Sequence, residues 1–326
     1  MFSLHDIARE IRKAWSGSAP LTATSLVMLV AFVGSVAGIF LDDRIITGVP
    51  AWLKPAKFAI STAIFCGTLA WLYRYIGVWP RFVRAMGWVV SATLILEVAI
   101  IDVQAARGAT SHFNIGTPVD AVLFAVMGTA IVLLWLASIG VLIALFRQRF
   151  QNPAWGWWLR MGMFVTVLGS AIGGMMLRPT EDQVETLRAG NAVSTVGAHT
   201  VGAPDGGPGL AGVGWSTQHG DLRIPHFFGL HGLQILPFLG WLALRRRSNQ
   251  KDHKQAGLAF AATVSYLSFA GILTWQALRG QSIVAPDSAT LLALGLWLAA
   301  TAIGGISLLR GATPAEYTSA VSSVTT

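Results

Sequence analysis

Eight runs of about twenty apolar residues, near 21–41, 52–73, 85–106, 119–146, 157–177, 226–244, 256–278 and 288–309, occupy most of the chain. Each is as long as a helix must be, at 1.5 Å per residue, to cross the hydrocarbon of a bilayer. Charged residues make up 12% of the sequence, against roughly 25% in an ordinary soluble domain. The fold class that follows is all-α: a polytopic membrane bundle of about eight transmembrane helices.

Cytoplasmic loops retain Lys and Arg, so sorting the charges into alternate loops sets the orientation. With the N-terminus inside, the inner segments hold 15 of the 23 basic residues, among them Arg9, Arg12, Lys13, Arg74, Arg81, Arg84, Arg147, Arg149 and Arg245–Arg247, but only 4 of the 15 acidic ones. The two sides come to +11 and −3, which places both termini in the cytoplasm. The same scatter of charge excludes a nucleic-acid surface, which would gather it into one stripe. Trp71, Trp79, Trp155, Trp157, Trp158 and Trp241 read as headgroup anchors at the inner ends of spans. The first apolar run is too long for the core of a cleaved signal peptide. The single cysteine, Cys66, falls inside a span and excludes disulfides within the chain.

The expected organisation is a cytoplasmic amphipathic segment over 1–20, helices one to five over 21–178, a periplasmic loop over 179–224, helices six to eight over 225–310, and a cytoplasmic tail over 311–326. Within the loop, RPTEDQVETLRAGN carries a capping box at Thr180 and Gln183 and a terminating Gly190, and so predicts a short helix. The glycine-rich remainder cannot bury a core. Its length predicts a lid over the outer face, anchored by Trp215, in preference to the alternative of a floppy linker.

What collects on the outer side differs in kind from the inner loops. LDDRIITGVPAWLKPAKF brings Asp42, Asp43, Arg44, Lys54 and Lys57, and the third span brings Glu97, Asp102 and Gln104 before Arg107, His112 and Asn114. An ionisable group inside a span costs several kcal/mol and is expected to face a partner, a cavity or a pathway. GDLRIPHFFGLHGLQ, over 220–234, adds Asp221, Arg223, His226, His231 and Gln234 at the mouth of the sixth span, with Pro225 in its first turn. His226 and His231 lie about 140° apart around a helix, so they do not form a metal clip on one helix.

WLKPAKF, QAARGATSHFN followed by Thr117, Pro118 and Asp120, APDGGPGL and GDLRIPHFFGLH together resemble the motif set of an uncharacterised family of bacterial multi-pass membrane proteins, over roughly 50–240. The resemblance implies a bacterial inner-membrane location and names no reaction, ligand or partner.

No HExxH, HxxxH, CxxC, GxSxG or P-loop pattern is present, which removes simple peptidase, esterase and ATPase readings. The leading expectation is a haem- or metal-dependent membrane oxidoreductase, with a quinone or other small molecule as substrate. In it, haem b or a transition metal is ligated by His112, His226 and His231, or by His112, His226 and a carboxylate from Asp120 or Asp221. Arg107, Arg223 and Lys57 hold haem propionates, and Phe113, Phe227 and Phe228 line the slot. Lys57, His226 and His231 are thus the cofactor residues; Glu97, Arg107, His112, Asp221 and Arg223 are the catalytic candidates. One alternative is a transferase or hydrolase acting on a lipid-borne or periplasmic anionic substrate by histidine acid–base chemistry. The other is a proton-coupled transporter using Glu97, Asp102, Lys57 and His231, although no internal repeat supports it.

Overall fold

The computed structural model describes residues 4–246 and 252–310. The expected tail over 311–326, and Arg247 and Lys251 of the basic segment between the sixth and seventh spans, lie outside the described residues. In chain order the helices are α1 (Leu4–Gly17), α2 (Ala19–Leu41), α3 (Leu53–Tyr73), α4 (Pro80–Ala106), α5 (Pro118–Arg147), α6 (Pro153–Ala171), α7 (Glu181–Arg188), α8 (Arg223–Leu230), α9 (Gly232–Arg246), α10 (Asp252–Leu278) and α11 (Ser288–Arg310). Seven helical stretches are long and apolar enough to cross a membrane, and α8 with α9, bent by 44°, makes up to eight. The described chain is therefore an all-α assembly of membrane-spanning character.

Local sequence explains where these helices start. Pro80, Pro118 and Pro153 each open a helix, where a missing N–H leaves nothing unpaired. Thr117 and Asn152 cap α5 and α6 by accepting from the Asp120 and Trp155 amides. The sixth expected span departs from a single straight helix, breaking at His231. Pro237 inside α9 has no N–H to offer the Leu233 carbonyl, and its ring fits instead against Gly162 of α6.

The core lies among α2 to α6, with Leu21, Leu69, Leu72, Val90, Val141, Leu145, Leu159 and Met163 all buried and Leu233 of α9 joining them. Close approach of α6 to α8 and α9 depends on small residues. A Cβ on Gly169 would stand 2.3 Å from the Gly229 Cα, one on Gly232 would meet Val165, and one on Gly240 would strike Trp158. By contrast, no residue over 291–308 of α11 is buried.

At one end of the bundle the chain forms a layer of loops. Between α2 and α3 a hairpin pairs β1 (Ile45–Ile46) with β2 (Val49–Pro50). Thr47 and Gly48 at its tip both have positive φ, as a type I′ turn demands. The tip touches the 203–210 segment, since a Cβ on Gly48 would lie 2.6 Å from the Gly206 carbonyl oxygen. The long connection from α6 to α8 holds α7 with its Thr180–Gln183 capping box, then folds back. The Val196 amide donates to the Phe113 carbonyl, and β3 (Thr200–Val201) pairs with β4 (Gly220–Asp221).

Candidate functional site

The α4–α5 turn carries His112 into the bundle end. Phe113 has φ +64°, a left-handed conformation that costs a bulky residue about 1–2 kcal/mol. Its ring is held by Met176, Leu222 and Ala277 and meets the His199 ring edge-on at 4.8 Å. This packing fixes the turn, and with it the imidazole of the preceding residue. Lys54, in the first turn of α3, places Nζ 3.1 Å from His112 Nδ1, with Ser111 Oγ also at 3.1 Å. On the opposite edge, His112 Nε2 stands 3.3 Å from Glu97 Oε1. An ammonium only donates, so Nδ1 accepts and the neutral ring carries its hydrogen on Nε2, the edge nearer Glu97. Burial, then the Lys54 charge and His199, hold His112 well below the ordinary imidazole range, which keeps it neutral. Glu97 is 2% exposed, and its Oε2 has no hydrogen-bond partner.

A second imidazole lies close by. His199 Nδ1 is 2.8 Å from Asp205 Oδ2, and the carboxylate also accepts from the His199 and Thr200 amides. Burial lowers the His199 pKa against the pull of Asp205, with Lys54 and Arg223 adding to the lowering. For Asp205, burial acts to raise the pKa but is outweighed by the hydrogen bonds and charge of His199 and by the two amides, so the carboxyl sits below its ordinary range. Asp205 therefore accepts, and fixes the His199 proton on Nδ1.

Lys57 and Arg223 close the remaining side. Lys57 Nζ donates to the Val213 carbonyl at 2.7 Å. Arg223 grips Asp221 through Nε and Nη2, at 2.9 and 2.5 Å, and Nη2 also donates to the Gly214 carbonyl at 2.6 Å. Asp221, 1% exposed, accepts in addition from the Ser216 amide. Lys54 is within electrostatic reach of Glu97, Lys57, Arg223 and Asp205.

Lys57, Glu97, His112, Asp221 and Arg223 thus occupy one neighbourhood. Arg107 belongs to a different group: with Gln104 and Thr117 it donates to Asp120, clamping the ends of the 107–117 turn. His226 gives Nδ1 to the Gly169 carbonyl at 3.0 Å and rests on Gly173. His231 lies at the α8–α9 break, its ring 4.3 Å from that of Phe227. Phe227 meets Trp215, Phe228 meets Phe269 and Phe113 meets His199, so each ring expected to line a slot packs against another aromatic ring.

The metal set expected from His112, His226 and His231 is accordingly not assembled. Among the described residues no group of three or more His, Cys, Asp or Glu is placed to hold a metal ion. The physical reason is that each imidazole already has other company: Lys54 and Glu97, the Gly169 carbonyl, and the Phe227 ring. The residues that sequence reasoning left unassigned are Lys54, Ser111, His199 and Asp205. Lys54, one helical turn before Lys57, was the available signal. The His199–Asp205 pairing had none, because it depends on how a glycine-rich loop returns.

No family model, curated protein or solved structure matches the chain.

Proposed function

We propose that this chain is a membrane-embedded transferase or hydrolase acting by acid–base chemistry on an anionic substrate, lipid-borne or soluble, at the outer face of a bacterial inner membrane. The observation that carries the reading is His112 held between Lys54 and Glu97, at 3.1 and 3.3 Å. When a proton passes from Lys54 to Nδ1, the proton on Nε2 passes to Glu97. Lys54 is left as a neutral amine, able to accept a proton from an attacking group, and Glu97 Oε2, without a partner, leaves the carboxyl free to take the charge change. The loop over 179–224 acts as the lid that keeps water from this relay.

The test compares total lipid and metabolite profiles of cells carrying the wild-type protein or Lys54→Met. A transferase or hydrolase predicts one species accumulating and another lost in the variant. A species redistributed across the membrane with its total unchanged would sink the reading in favour of transport. A Soret band from the purified protein, reduced with dithionite, would restore the haem oxidoreductase.

A further inference from the structure

Lys57 is the cation of this site with the least to hold it. It lies in the second turn of an apolar helix, where a charge is costly unless something faces it. Among the described residues no carboxylate lies within 4.0 Å of it, and its only hydrogen bond is to the Val213 carbonyl. The neighbouring carbonyl, that of Gly214, takes a hydrogen bond from Arg223. Two consecutive peptide oxygens from one loop thus bridge two cations from two different helices, α3 and α8. Gly214 has φ +66°, and a Cβ there would come within 3.8 Å of Lys57 Nζ, so no side chain separates the loop from the ammonium. Lys54 stands within electrostatic reach of both cations.

We propose that Lys57 and Arg223 form a seat for a phosphate group. In the closed form the Val213 and Gly214 carbonyls occupy it, and the ligand displaces them. Two oxygens of a phosphate reproduce the pair of carbonyl acceptors and add the charge that peptide oxygens lack, so that acceptor as well as donor is ionised and the hydrogen bonds strengthen. Lys57 and Arg223, with Lys54 in electrostatic reach, favour a multiply charged group over a single carboxylate, because the ligand shares Arg223 with the Asp221 carboxylate that already grips it. The inference rests on the acid–base reading for its biological meaning, because the seat adjoins the relay, but it is tested by binding alone.

The experiment uses the full chain in nanodiscs of phosphatidylcholine. One arm titrates inorganic pyrophosphate by calorimetry; the other measures partition to vesicles containing phosphatidic acid, which separates a soluble from a lipid-borne phosphate. Saturable binding is expected in at least one arm. Lys57→Met weakens it about tenfold or more, the loss of one charge-assisted contact. Arg223→Lys, which keeps a charge beside Asp221 and protects folding, weakens it by a similar factor. Gly209→Val, whose side chain would crowd the Gly214 peptide at 3.0 Å and loosen the cap, binds more tightly. The proposal is overturned by no binding in either arm, by Lys57→Met and Arg223→Lys both within twofold of wild type, or by a Gly209→Val affinity no higher than wild type. His112→Phe separates the two readings. Retained binding in it, with unchanged metabolite profiles for Lys54→Met, means that the relay fails and the phosphate seat stands.

Discussion

Acid is the condition that should loosen the site, and the two buried imidazoles give the sign. His112 and His199 both titrate below the ordinary value of about 6.5, chiefly through burial. Below about pH 6.5 the unfolded chain binds protons that the folded chain refuses, so stability is complete above that value and falls as pH drops. The slope is at most about 1.4 kcal/mol per pH unit for each histidine. Asp205 adds a separate loss at lower pH, beginning below about 3.9 where its unfolded carboxyl takes up a proton. Thermal unfolding in detergent between pH 8 and 5 checks this: His199→Asn should flatten the dependence, and an unchanged slope would mean that His199 is not held neutral. Glu97 and Lys57 were legible because charge in an apolar run is itself a signal, and His112 because it follows that run within the polar turn between two spans. Asp205 was not, since in APDGGPGL an aspartate followed by glycines reads as a turn residue, and only the returning loop makes it a partner of His199.

At the scale of elements, hydrophobic run length located the helices well, because a span has to be that long whatever it packs against. What it missed was the break at His231: proline acts on the turn before it, and Pro237 lies six residues further on. Packing of α6 on α8 was also beyond periodicity, as it rests on two glycines from distant segments. Gly229→Leu should therefore destabilise the protein by about 1–3 kcal/mol or more, the usual cost of overpacking. A lowered thermal midpoint should appear, with Gly257→Leu, which meets nothing within 4 Å, as the control. The Gln104–Arg107–Asp120 clamp makes a further prediction for its turn. Asp120→Ala removes the shared acceptor of three donors, and amide exchange over 107–117 should quicken, while exchange in α10 stays as it was.

For the whole molecule, the bilayer ties site to topology. Lysine and arginine are retained on the cytoplasmic side, and the basic residues Arg81, Arg84, Arg147 and Arg149 lie at the end of the bundle opposite the loop layer, flanking the α3–α4 and α5–α6 connections. The polar site, and the proposed phosphate seat within it, should therefore open away from the cytoplasm, so that any substrate reaches it from the outer leaflet or the space beyond. Cys66 is buried, and Cys66→Ala gives a background without thiols. Single cysteines can then be placed at two exposed positions, Asn191 just after α7 and Gln151 between α5 and α6. A membrane-impermeant maleimide applied to intact spheroplasts should label Asn191→Cys and spare Gln151→Cys, with both labelled after lysis. The reverse pattern would turn the site toward the cytoplasm and, with it, the substrate pool, because a site beneath a loop layer draws on the compartment which that layer faces.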